Sequence, residues 1–209
     1  KIAKQGKFTA IIFQKGIAEK YNKEIKKSKI PLIVKLNGKT NLVKGDPISK
    51  QLCTVKEAIK LGASAVGYTI YIGSKHESKM FQEFEEIQRE AHKKNLPTIC
   101  WIYPRGKSIK GKSKAKLMAY STRVGLEIGA DIIKIHPTGK KEDLEWAIKS
   151  AGKSKVVIAG KNKRSENSLL KEVKEAMTTG CTGLAIGSNI WQSSKPLELT
   201  NKIKKIIWK

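Results

Sequence analysis

The stretch ADIIKIHPTG, residues 130–139, places a lysine inside an apolar run. In an extended strand, Ile132, Lys134 and His136 share one face while Ile133 and Ile135 share the other. With 43 Lys and Arg among 209 residues, most cations must simply face water. A lysine in the middle of a strand is too far from either end to reach solvent easily. Desolvation disfavours its ammonium form, as does any neighbouring cation, and both free the amine as a nucleophile at neutral pH. The chemistry would be attack on a ketone or aldehyde carbon to form an imine. Spacing alone leaves a second possibility open, an interior lysine paired with a carboxylate for structure.

The run CWIYPRG, residues 100–106, puts Trp101 and Tyr103 on one face before Pro104-Arg105-Gly106 turns the chain out of the strand. A phenol beside an imine can carry protons to and from carbon or oxygen. An indole offers a flat wall and one N–H donor. Aromatic residues at a strand end also serve as ordinary core, so their meaning depends on Lys134. Lys35, in PLIVKLNG, alternates with Asn37. It is either a rival amine or the neighbouring cation that acts on Lys134. Gly160 and Gly187 follow apolar runs, where backbone N–H groups can approach an anionic ligand such as phosphate. His76, His92 and His136 show no metal-ligand spacing. The first two fall in or beside a helix at 77–94 and read as surface residues, whereas His136 shares the face of Lys134. No Ser/His/Asp constellation is evident.

Positioning these residues requires strands, and the sequence supplies seven candidates: 9–13, 31–36, 64–71, 97–103, 131–136, 155–160 and 183–188. They are short, apolar and often β-branched, as parallel strands buried on both faces are. Helical spacing fills the intervals, for example at Phe81, Phe84, Ile87 and Ala91. The stretches LGASAVGY, IGADIIKI and TGCTGLAIG repeat one cadence, a helix end, a glycine and then a strand. Repeated βα units without a linker indicate one domain over residues 1–209. A Rossmann-type sheet would carry a glycine-rich fingerprint after its first strand, which QKGIAEKY lacks. The expected fold is therefore α/β, a TIM (β/α)₈ barrel with seven of its eight strands in this chain.

Composition narrows the function further. No apolar stretch approaches the ~18 residues that cross a membrane. Three widely spaced cysteines without a CxxC pair argue against a zinc or disulfide framework and for a reducing cytoplasm. The net charge of +25 is spread over nearly every helix and loop, with short clusters at 23–29 and 107–116. That dispersal reads as solvated surface and argues against a nucleic-acid interface.

Beyond these residues, FQKGIAEKY (13–21), PLIVKLNGKT (31–40), LGASAVGYTIYIGS (61–74), KMFQEF (79–84), WIYPRG (101–106), GADIIKIHPTG (129–139) and GLAIGSNIWQ (183–192) carry a family resemblance. The chain resembles the archaeal-type class I fructose-1,6-bisphosphate aldolases, in the deoxyribose-phosphate aldolase-like barrel superfamily. The resemblance implies that Lys134 is the Schiff-base lysine, Tyr103 the proton donor and acceptor, and Trp101 a substrate contact. It implies reversible cleavage of a small phosphorylated sugar through a covalent imine on Lys134, with no metal or other cofactor, in a homo-oligomer. The sugar phosphate is expected at Gly160, Lys161, Gly187 and Ser188. Gly160-Lys161 stands where the family has a Gly-Gly pair, and Ser188 where it has an arginine. No Asp-His-Gly motif precedes Thr9, so the family's first strand is expected to be missing and the domain truncated at its N-terminus. Two neighbouring readings remain. One is a sister group that makes an aminodideoxyheptulosonate by transaldol chemistry, against which GKTNL (38–42) and WIYPRG weigh. The other is a non-catalytic remnant, opposed by the retention of Lys134, Tyr103 and Trp101.

Overall fold

The computed structural model describes residues 1–160 and 165–208. Its strands, in chain order, are β1 (Ile11–Gln14), β2 (Leu32–Lys35), β3 (Asn37–Gly38), β4 (Lys50–Gln51), β5 (Ala63–Ile72), β6 (Thr98–Pro104), β7 (Ile132–Ile135), β8 (Lys155–Ala159) and β9 (Gly183–Ala185). The helices are α1 (Ile2–Gln5), α2 (Lys15–Lys20), α3 (Asn22–Ser28), α4 (Val55–Lys60), α5 (Glu77–His92), α6 (Lys114–Glu127), α7 (Lys141–Ser150), α8 (Glu166–Met177), α9 (Ser188–Trp191) and α10 (Pro196–Ile207). Seven strands form one parallel sheet in the order β1-β2-β5-β6-β7-β8-β9, with β1 and β9 at its edges. All seven apolar runs of the sequence are in it.

Burial on both faces explains why these strands are nearly continuous in hydrophobicity. On β5, Val66, Tyr68, Ile70 and Ile72 join the core beneath the helices, where Tyr68 meets the Phe84 ring of α5 at 6.0 Å between centroids. Helix α5 offers Met80, Phe84, Ile87 and Ala91 on its buried face, a spacing that matches the helical repeat. The other face of the sheet is lined by Ala65, Ile99 and Trp101, with Ile12, Ile33 and Ile132 packed against them. Side chains from five neighbouring strands thus converge on one inner layer, and the sheet curls around it as a partial barrel. Helix-to-strand glycines turn the chain as the cadence predicts, since Gly62, Gly129 and Gly180 all have positive φ.

Two features depart from the sequence-based expectation. The run 183–188 is strand only to Ala185. Gly187 leaves the extended region at φ −130° and ψ −74°, and its carbonyl accepts from Ile190 N and Trp191 N, which starts α9. The second departure is the small antiparallel pair β3–β4, which carries the excursion of residues 39–49. Asn37, fully buried, ties that excursion to the barrel. Its Nδ2 donates to the carbonyls of Ser49 (2.8 Å) and Thr69 (2.9 Å), and its Oδ1 accepts from Thr69 N at 2.8 Å. Replacing Asn37 by Leu leaves buried backbone groups of Ser49 and Thr69 without these partners. Chemical denaturation is expected to show a loss of about 2–4 kcal/mol. An unchanged midpoint would mean that the amide network contributes nothing.

Candidate active site

Lys134 takes its direction from its neighbours. Ile133 and Ile135 are buried at 0% and 1% exposure in the core under the helices, which turns Lys134 to the inner face. On that face it lies in register between Trp101 of β6 and Val157 of β8. Its Nζ stands 5.3 Å from the Trp101 ring centroid. Burial, and then the positive charge of Lys35, push the amine down to about 8. Both influences act in one direction, and no carboxylate is among them. The ion-paired, purely structural lysine therefore finds no support here. Lys35 shares the inner face on β2, in register between Gln14 and Gly67, and burial lowers it too. Of the two roles open to Lys35, the geometry matches that of neighbouring cation.

Tyr103 sits two residues beyond Trp101, one step nearer the carboxyl ends of the strands. Its ring stacks on His136 at 4.4 Å between centroids, so the inner faces of β6 and β7 meet again at this level. Burial raises the phenol well above its ordinary value. Tyr71 pushes it the same way and Arg105 opposes them. The hydroxyl thus keeps its proton at neutral pH and is available as a donor. Arg105 lies 5.7 Å from the Tyr71 centroid and 5.9 Å from that of Tyr103, while Lys39 approaches Tyr71 at 5.9 Å. The turn after β6 is fastened by Arg105 N donating to Ile72 O at 2.9 Å.

Lys134, Trp101, Tyr103, Lys35 and His136 are thus brought together. Gly160 follows the last residue of β8, the strand next to β7. A side chain there would come within 2.9 Å of Ile186 Cγ2, so the loops after β8 and β9 touch. Gly187 ends the second of these loops and the exposed Ser188 opens α9. Lys161 lies outside the described residues. His92 is at the far end of the strands from Lys134. There it meets Asp131 Oδ2 at 2.9 Å, and that oxygen also accepts from Thr98 N and Oγ1 at 2.7 and 2.9 Å. Asp131 thus pins the start of β6 to the start of β7, and His92 joins the end of α5 to that clasp. Tyr71 and the buried Thr69 were missed from the sequence, although alternation in SAVGYTIY puts both on the face of Gly67. Thr69 Oγ1 has no hydrogen-bond partner among the described residues. Within those residues, no group of three His, Cys, Asp or Glu could hold a metal ion, and no helix is long and apolar enough to cross a membrane.

Comparison with known proteins converges on the same chemistry. The sequence profile of the DeoC/LacD family aldolases matches residues 1–193. A class 1 fructose-bisphosphate aldolase of Thermoproteus tenax is 43% identical over 209 residues, covering all of this chain and 78% of its own length. The class 1 enzyme of Halobacterium salinarum is 37% identical over 207 residues, covering 99% of this chain and 78% of its own. An archaeal fructose-1,6-bisphosphate aldolase, solved with its catalytic lysine covalently bound to the carbinolamine intermediate of its substrate, superposes with a TM-score of 0.94. It is 42% identical, and the match covers 100% of this chain and 82% of that one. This chain belongs to the DeoC/LacD aldolase family and, within it, to the class 1 fructose-bisphosphate aldolases.

Proposed function

We propose that this chain is a Schiff-base lyase that reversibly cleaves fructose 1,6-bisphosphate to dihydroxyacetone phosphate and glyceraldehyde 3-phosphate, in glycolysis and gluconeogenesis, with Lys134 as its nucleophile. The observation that carries the role of Lys134 is its setting, an inward-facing amine with no carboxylate partner among the described residues, acted on by the half-buried Lys35, with Trp101 beside it and Tyr103 further along the same face.

In the cleavage direction the free amine of Lys134 adds to the ketone carbon, and loss of water leaves an iminium. The hydroxyl on carbon four gives up its proton to water as the bond between carbons three and four breaks. Its electron pair flows into the iminium to give an enamine, and glyceraldehyde 3-phosphate departs. Tyr103 delivers a proton to carbon three, and water then releases dihydroxyacetone phosphate and restores the amine. The iminium is the electron sink, so the sequence of steps calls on no metal or organic cofactor. Trp101 walls the reacting carbons, and Gly160, Lys161, Gly187 and Ser188 hold phosphate. We also take the enzyme to be a cytoplasmic homo-oligomer, for which the exposed Tyr120, Trp146 and Trp208 supply apolar contact surface.

Borohydride reduction in the presence of dihydroxyacetone phosphate tests the reading. Peptide mapping should find the reduced adduct on Lys134, and a protein that reacts nowhere would refute the proposal. A second test concerns the neighbouring cation. Below about 8 the Lys134 ammonium prevails and kcat/KM should fall about tenfold per pH unit. Changing Lys35 to Met removes a positive charge, which makes the ammonium easier to keep and raises its pKa. The acidic limb should therefore move to higher pH, with a severalfold lower rate at pH 7. A limb that stays in place would show that Lys35 does not act on Lys134.

A further inference from the structure

A glycine inside a buried strand gives up packing and backbone entropy, and it often marks the close approach of another group. Gly67 stands in the middle of β5, flanked on the same face by Ala65 and Thr69. What approaches it is Trp101. A Cβ at position 67 would lie 1.8 Å from Cζ3 and 2.1 Å from Cη2 of the indole. Those atoms form the outer edge of a rigid ring system that is only 4% exposed and is packed with Ala65 and Ile99. Such a ring cannot yield that distance without leaving its place.

The location of the contact gives it consequence. Trp101 starts on β6 beside Lys134, its register partner on β7. Its outer ring ends over Gly67, whose register partner on β2 is Lys35. One indole therefore spans the floor of the barrel from the strand next to one amine to the strand next to the other. The Lys134 Nζ stands 5.3 Å from its centroid.

We propose that Gly67 is a positioning residue for the reaction at Lys134: its missing side chain is the seat of the Trp101 indole, and the seated indole holds the amine against a dry wall. This inference rests on the imine-forming role proposed for Lys134. Any side chain at 67 lifts the outer ring out of the floor. The ring then occupies substrate space, and water reaches the amine.

The test is a double-mutant cycle with a readout that needs no activity. Of the four tryptophans, Trp101 alone is buried, the others being 49–66% exposed. In the unaltered protein one fluorescence component should therefore resist acrylamide quenching. Gly67→Ala should make that component quenchable and slow formation of the borohydride-trapped adduct about 10–100-fold. Trp101→Phe removes the clashing outer ring, so adding Gly67→Ala to that variant should change its trapping rate less than twofold. If Gly67→Ala fails to fold while Gly67→Ala/Trp101→Phe folds, ring and methyl group are shown to be incompatible, as proposed. Unchanged quenching and trapping in Gly67→Ala would overturn the inference. So would an equal loss in both backgrounds, or failure of both variants to fold. Absence of any adduct in the unaltered protein refutes the aldolase chemistry instead, and the quenching comparison still decides whether Gly67 seats the indole.

Discussion

Replacing Lys134 with Met is expected to abolish both the borohydride-trapped adduct and fructose 1,6-bisphosphate cleavage, with kcat falling roughly 10⁴–10⁶-fold as for loss of a nucleophile. The same substitution should make the protein more stable, which separates a lost nucleophile from a damaged fold. Burial, and then the charge of Lys35, bring the folded amine down to about 8, well below the ordinary lysine value of about 10.4 that it has in the unfolded chain. At pH 7 the amine is protonated in both the folded and the unfolded chain, so folding buries a charge at full cost. Between about 8 and about 10.4 the folded amine is neutral while the unfolded one still binds its proton, so the stability of the unaltered protein rises with pH across that window. Methionine fills similar space without charge. The gain should be on the order of 1–3 kcal/mol at pH 7 and should shrink toward about pH 10.4. Denaturation midpoints of both proteins at pH 7 and pH 10 provide the measurement. A Met variant less stable than its parent at pH 7 would show that the amine has a stabilising partner.

Tyr103→Phe should lower kcat about 10²–10⁴-fold, the usual contribution of a positioned proton donor, with a much smaller effect on KM. Phenylalanine keeps the ring, its burial and its stack on His136, so loss of packing is not an alternative explanation. The discriminating readout is exchange of the carbon-three proton of dihydroxyacetone phosphate with deuterated water. That exchange needs proton transfer to the enamine but no aldehyde, and it should fall by about the same factor as cleavage. Exchange at the parental rate would assign the proton to another group, and His136 would be the first to examine.

Much of this arrangement is legible in single stretches of sequence. In DIIKIH the alternation alone turns Lys134 away from the helices, because Ile133 and Ile135 must be buried on the other side. In CWIYPRG the same period puts Trp101 and Tyr103 on one face, and Pro104 marks where the strand ends. The seven apolar runs likewise announce seven βα strands, since a strand covered on both faces has no polar side to show. Other features were not readable. Gly187 and Ser188 follow an apolar run that looks like continuing strand, yet the chain turns there, because hydrophobicity does not report where backbone hydrogen bonds stop. Asn37 looks like one more loop residue until its amide is seen holding Ser49 and Thr69, 12 and 32 positions away.

By itself, then, the sequence determined the strand and helix alternation, the inward direction of Lys134 and the shared face of Trp101 and Tyr103. Those properties follow from local periodicity, which each segment carries within itself. Tertiary structure alone decided that Lys35 is the cation acting on Lys134, that Tyr103 stacks on His136, and that Gly67 lies under the Trp101 indole. Each of these contacts crosses between strands that are joined by a helical excursion. Which side chains become neighbours then depends on the register of one strand against the next, and that register is fixed only when the sheet curls and its inner layer packs.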